Sequence, residues 1–245
     1  MTKDKTTVEV NASTVEEAIE KGLDQFYLPR DAVDIEVLDE DHQTGMQTVW
    51  HISEVCAKLG NQVLILYIFS TENWYHLVEE VDYLMLLAEK YTARELPELQ
   101  RNGVCLQLMG KREFLPAPVL NALDWTIMQT RDNSRLVLNL ALNYGRRDEI
   151  VDAIKAILIE NEQGALDGMN LDENTLARYL CYPDCPDVDL VIHTSGEWRL
   201  SNFLLWCAAN VVFLGLTILW PDFKQEHQEA ISIYTKQISG QHVGS

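Results

Sequence analysis

The chain has 245 residues, 47% hydrophobic and 23% charged, the make-up of a globular protein with room for one large domain or two small ones. Its formal net charge of −19 sets up a field that repels nucleic acid and anionic headgroups, so any phosphate site must rest on a few local arginines and backbone amides. No apolar run reaches membrane-spanning length and no signal-peptide core follows Met1–Lys5, which gives the cytoplasm as the expected location, free or at the membrane surface.

Thr7 to Val10 alternates as a short strand, and Ser13-x-x-Glu16 is a capping box opening a helix with Val15, Ala18, Ile19 and Leu23 on one face. Pro29 stops that helix, and Val33, Ile35 and Val37 alternate as a second strand with acidic residues outward. Residues 1–40 therefore read as a small β-α-β unit. From residue 41 to 245, helix-like and strand-like segments alternate. Met46–Leu59 is a helix, Val63–Phe69 a strand, Val78 to about Leu99 a long amphipathic helix, Cys105–Met109 a strand and Val119–Thr130 a helix. Strand Leu136–Leu142, helices near Asp148–Glu160 and Glu173–Leu180, strand Val188–Ile192 and a last helix near Gln225–Gln237 follow. Alternation of this kind predicts an α/β fold, its sheet mostly parallel and flanked by helices.

The five cysteines, Cys56, Cys105, Cys181, Cys185 and Cys207, lie mostly in apolar segments and read as buried free thiols. Cys181 and Cys185 flank Tyr-Pro-Asp, but no second ligand pair with zinc-site spacing accompanies them, so no metal site is assigned there.

Two polar loops carry the chemistry. Val63–Phe69 is continuously apolar, as a doubly buried parallel strand requires, and it runs directly into Ser70-Thr71-Glu72-Asn73-Trp74. Ligands of open parallel sheets sit at the carboxyl ends of strands, where Asn73 could orient a substrate and Trp74 cover an apolar group. The second loop, His193 to Trp206, leaves the apolar run Val188–Ile192. Ser195 and Gly196 can turn the backbone toward a bound group, and Arg199 and Ser201 offer donors to oxyanions.

Together, Phe69-Ser-Thr-Glu-Asn-Trp74, Asn139-Leu-Ala-Leu-Asn-Tyr-Gly145, Thr194-Ser-Gly-Glu197, Arg199-Leu-Ser-Asn-Phe-Leu-Leu-Trp206 and Trp220-Pro-Asp-Phe223 resemble the cis-prenyltransferase family, in its order and at about its spacing, over residues 42 to 235. The resemblance implies condensation of isopentenyl diphosphate with an allylic diphosphate, usually with magnesium. It also implies a catalytic position at Asn73, substrate-binding positions at His42, Ser70, Thr71, Glu72, Trp74, Arg199, Leu200 and Ser201, and a homodimer or a heteromer with an active family member. The first unit, with Thr14-Val-Glu-Glu-Ala-Ile-Glu-Lys-Gly22 and Leu28-Pro-Arg-Asp31, resembles the N-terminal domain of the Jag family. No KH portion accompanies it, and nucleic-acid binding is not expected.

The chain departs from the cis-prenyltransferase pattern at several charged positions. The family's Asp-Gly-Asn-Gly-Arg-Trp loop has no counterpart in residues 1–41. His76 and His193 stand where arginines are common, Val212 stands where a magnesium-binding glutamate is expected, and Arg146 replaces a glycine of Asn-Tyr-Gly-Gly-Arg. A neutral imidazole does not replace a guanidinium clamp. Impaired catalysis is the expectation, with a non-catalytic partner or regulatory subunit as the alternative. The uncharged run Asn202–Leu219 is the expected dimer surface.

Overall fold

The computed structural model describes residues 40–166, 170–182, 188–196, 203–208 and 211–227, with side chains from Thr44 onward. The expected strand–helix–strand unit, most of the expected last helix and the segment Glu197–Asn202 lie outside the described residues. Nearly everything described belongs to one compact unit, Gln43–Ser245.

Helix α1 (Glu40–Leu59) leads through Gly60 into β1 (Val63–Ser70), which ends in a 3-10 turn over Thr71–Tyr75. The long amphipathic helix expected next is two helices, α2 (Val78–Arg94) and α3 (Leu96–Asn102). Pro97 explains the break: in a continuous helix its ring would clash with the preceding turn, whereas in the first turn of α3 its missing N–H costs nothing. Gly103, with φ +68°, closes α3 and turns the chain into β2 (Val104–Met109). Helix α4 (Ala117–Thr130), β3 (Leu136–Tyr144), α5 (Arg146–Glu162) and a short α6 (Glu173–Ala177) follow. Then come β4 (Leu190–His193), β5 (Val212–Gly215) and a 3-10 turn over Trp220–Asp222. Strand β5 is a structural element that the pattern of uncharged residues conceals.

The strands form two parallel pieces, a three-stranded sheet in the order β1-β3-β2 and a two-stranded sheet of β4 and β5. Central β3 has strand neighbours on both sides and is buried at eight of its nine positions. That is the condition under which a strand must be apolar throughout. At the outer edge of β2, the Leu106 N–H donates to Thr130 Oγ1 at 3.1 Å, so α4 satisfies an edge group that would otherwise seek another chain. Among the described residues, no strand pairs with the outer edge of β1 or with the edge of β4 opposite β5.

Helices α1 to α4 cover the larger sheet, and their apolar faces form one core with Leu66, Phe69, Leu106, Leu138, Leu140 and Leu142. Leu190, Ile192, Leu214 and Leu216 of the smaller piece pack against the same core while remaining half-buried. Cys56 and Cys105 are buried, Cys207 is half-buried and Cys181 is exposed, and none of the four is in a disulfide. Cys181 corrects the expectation of burial, because it follows α6 at a surface turn rather than lying inside an apolar element. No described helix is long and apolar enough to cross a membrane.

Candidate functional site at the strand ends

Parallel strands deliver their following loops to one edge, and here β1, β2 and β3 bring three loops together. The organising residue is Asn143, 2% exposed and in the left-handed conformation at φ 52°, which asparagine tolerates better than most residues. Its Oδ1 accepts from Trp74 Nε1 at 2.7 Å, and its Nδ2 donates to the carbonyls of Lys111 (3.2 Å) and Glu113 (2.7 Å). One carboxamide therefore ties the loops after β1 and β2 to the end of β3. The Lys111 N–H returns a bond to the Asn143 carbonyl. Gly110 allows this close passage: its φ is +121°, and a Cβ there would lie 2.1 Å from the Leu142 carbonyl oxygen.

The Ser70–Trp74 loop is pre-shaped. Ser70 Oγ accepts from the Asn73 N–H at 3.1 Å, while Asn73 Oδ1 accepts from the Ser70 N–H at 2.6 Å and from its hydroxyl at 2.8 Å. This reciprocal cap accounts for the Ser70 and Asn73 residue types without any ligand. Thr71 Oγ1 donates to Asp148 Oδ2 at 3.2 Å, which joins the turn to the first turn of α5. Glu72 is exposed. Trp74 is half-buried, edge-on to Phe69 with ring centroids 5.0 Å apart, and its N–H is committed to Asn143. The ring expected to cover a substrate thus also fastens the loop to the core.

The second loop differs from expectation in one respect. Ser195 and Gly196 adopt φ values of 68° and 74°, as a tight turn requires. Their N–H groups do not face an open site: Ser195 donates to Ile218 O at 2.8 Å and Gly196 to Leu216 O at 2.7 Å. The amides expected to cradle a phosphate instead anchor the loop to the chain after β5. His193 Nδ1 lies 2.8 Å from the Thr194 carbonyl. Arg199, Leu200 and Ser201 lie outside the described residues, as does the side chain of His42.

Cationic groups near the first loop are few. Lys111 is held by Asp152 at 2.6 Å, and that hydrogen bond pushes its ammonium above the ordinary lysine range. Arg146 opens α5, and its Nε is buried without a hydrogen-bond partner. Burial pushes the Tyr67 hydroxyl up to about 12, and the hydroxyl bonds the Tyr144 carbonyl at 3.1 Å. Tyr144 is raised further, first by burial and then by Glu149, to which it donates at 2.5 Å. Glu149 also accepts from the Cys181 N–H at 3.0 Å, so this buried carboxylate braces the wall behind β3.

An undecaprenyl diphosphate synthase family model matches residues 33–239. The chain belongs to the undecaprenyl diphosphate synthase family of cis-prenyltransferases. A second family model, the Jag N-terminus, matches residues 10–44. The isoprenyl transferase of Bacillus cereus is 44% identical over 186 residues, covering 76% of this chain and 72% of that protein. That of Geobacillus kaustophilus is 44% identical over 197 residues, covering 80% and 77%. A lavandulyl diphosphate synthase from Lavandula x intermedia, solved in complex with dimethylallyl diphosphate, superposes with a TM-score of 0.77 at 28% identity, covering 89% of this chain and 91% of that one. A probable undecaprenyl diphosphate synthase from Campylobacter jejuni gives 0.70 at 30% identity, with coverages of 82% and 92%. Family motifs thus sit at the ends of β1, β3 and β4.

Sequence reasoning singled out Asn73 and Trp74 but missed Asn143 and Gly110 as the residues that hold them in place. Asn143 was visible only as part of a motif, because its role depends on a left-handed backbone and on carbonyls of the loop after β2, thirty or more residues upstream. Magnesium is general in the family. No group of three or more His, Cys, Asp or Glu among the described residues could hold a metal ion, and Val212 occupies the position of the expected glutamate.

Proposed function

We propose that this chain is an isoprenyl transferase with impaired chain elongation, composed of a Jag-like unit over residues 1–40 and a cis-prenyltransferase domain over 41–245. The observation that carries the reading is the lack of any Asp-Gly-Asn-Gly-Arg-Trp counterpart in residues 1–41. Elongation requires two diphosphates held close together while one departs from an allylic carbon. The developing charge must be met by preorganised donors, and losing one such donor typically costs a hundred- to a thousandfold, on the order of 3–4 kcal/mol. Here the first loop is lost, two arginine positions are histidine, and the Ser195 and Gly196 amides are already bonded. Such losses need not add, because they serve one site.

Arg199 and Ser201 are the proposed contacts for a single remaining diphosphate. The test is incubation of purified protein with farnesyl diphosphate, radiolabelled isopentenyl diphosphate and magnesium. Little or no long-chain product is expected. Turnover at an ordinary enzymatic rate, about one per second or faster, would overturn the reading.

Exposed apolar groups favour a second reading, a partner or regulatory subunit of an active family member in the cytoplasm. Leu205 and Leu219 are 45% and 50% exposed, and Trp206, next to Leu205 in the chain, lines a groove with Ile154, Leu158, Leu171 and Leu176 along α5 and α6. Leu214 and Leu216 are packed on the core instead, so the partner surface is narrower than the whole run Asn202–Leu219. Light scattering at micromolar concentration should give at least a dimer, alone or with an active isoprenyl transferase. A monomer that does not associate with one would exclude this role.

A further inference from the structure

Helix α4 turns one face into the core and leaves the other uncovered. Val119, Leu123, Thr126 and Thr130 are buried, whereas Asn121, Asp124, Trp125 and Met128 are exposed on the opposite stripe. In a chain of net charge −19 such a stripe is expected to be acidic, and this one is not. Asp124 is the one charge in its fourteen residues, and Arg112 pairs with it at 2.7 Å. From Arg112 to Arg135 three arginines balance three acids. Trp125 and Met128 are 53% and 48% exposed. The Arg112–Asp124 pair also brings the loop before α4 alongside this stripe, and that loop presents Phe114, 83% exposed at φ 70°. A bulky side chain in the left-handed region is a strained arrangement that packing normally has to offset. Here the ring meets almost nothing of the protein, so the fold itself gains nothing by holding it there.

We infer that this face of α4, with Phe114 at its edge, docks the protein on a lipid surface. A bilayer interface takes up aromatic rings and thioethers among its headgroups and upper acyl chains. It yields around a protruding ring, where a rigid protein partner would need a matching pocket. Charge selects this face over the others. The segment Arg112–Arg135 is neutral, so the whole surplus of acid lies elsewhere in the chain, where headgroup phosphates repel it. A neutral face comes into contact with the headgroups while acids more than a Debye length away, about 8 Å at physiological salt, are screened. Arg131, 70% exposed just beyond the last turn of α4 and 3.5 Å from Asp132, stands at the rim with its guanidinium in reach of a phosphate. The inference stands apart from the elongation reading, because a lipid surface holds the chain whether or not product forms.

Phosphatidylcholine vesicles test it, with the full chain at physiological salt. The protein should sediment with them, and brominated acyl chains should quench its tryptophan fluorescence. Trp125→Phe should stay bound but lose most of that quenching. Phe114→Gly removes the ring and suits the left-handed backbone, so its urea midpoint should match or exceed that of the parent. Its partition into vesicles should fall about tenfold, as loss of a buried phenyl ring requires. An absence of vesicle binding, quenching that survives Trp125→Phe, or partition unchanged in Phe114→Gly would each overturn the proposal. So would a loss of self-association in Phe114→Gly without vesicle binding by the parent, which would assign the face to a second copy of the chain.

Discussion

The two sheet pieces are built from similar residue types and held very differently. In β1-β3-β2 the central strand has neighbours on both edges, and Leu106, Leu138 and Ala141 are completely buried. In β4-β5 Val191 is the one strand residue below a tenth exposed, although both segments are as apolar as β3. The difference lies in coverage. A strand flanked on both sides hides its side chains among those of its neighbours, whereas among the described residues β4 and β5 each have a strand neighbour on one side only. Apolar character records what a strand can bury, and neighbours decide what it does bury.

The largest expected effect would break this comparison if it failed. Leu138→Ala removes a side chain with no exposed surface and leaves a cavity that a tightly paired strand cannot close, at a cost of about 2–5 kcal/mol. Leu214→Ala on β5 removes a half-buried side chain and should cost less than about 2 kcal/mol. Urea denaturation of the two variants gives the contrast directly, and equal losses would mean that the smaller piece is as firmly packed as the larger.

Asn143→Ala comes next and sharpens the comparison at the site. It strands the carbonyls of Lys111 and Glu113 and the Trp74 indole N–H at once, each beside buried surface. A loss of about 1–3 kcal/mol is expected, together with a change in tryptophan fluorescence as the indole is released. An unchanged emission spectrum would mean that Phe69 alone holds the ring.

What was legible in the sequence follows the same division. Strands β1 to β3 were readable as apolar runs, as in Val-Leu-Ile-Leu-Tyr-Ile-Phe before Ser70, although β1 at the sheet edge is only half-buried at six of its eight positions rather than buried on both faces. Strand β5 was not, because Val212–Gly215 sits inside a longer uncharged stretch with no turn signal to bound it. The break at Glu95 was missed although Pro97 announced it, since the apolar periodicity continues through Leu99. At the site, residue types marked Asn73 and Trp74, but the Ser195 and Gly196 amides looked available only because their carbonyl partners lie twenty or more residues away.

The smallest expected effect concerns pH, and its sign follows from which form the fold prefers. Burial raises Tyr67 from 10.0 to about 12 and raises Tyr144 further, so the larger sheet favours the neutral phenols. A group whose folded value is raised contributes its full stability below the unfolded value and loses it as pH climbs through the folded one. Stability should therefore be level up to about pH 10 on account of the tyrosines and should fall between about 10 and 12. Buried Cys56, raised from 9.0 to about 12 by desolvation, acts in the same direction and starts the decline about one unit earlier. Strands β4 and β5 contain neither residue type and so contribute nothing to this alkaline loss. Tyr67→Phe keeps the ring stacked on Phe203, at a centroid distance of 4.6 Å, and removes the ionisable group along with its bond to the Tyr144 carbonyl. That variant should be slightly less stable at neutral pH and should lose less between pH 10 and 12. A parallel decline in variant and parent, followed by urea midpoints across that range, would assign the alkaline sensitivity to the other raised groups, Tyr144, Cys56, Cys105 and Cys181, rather than to Tyr67.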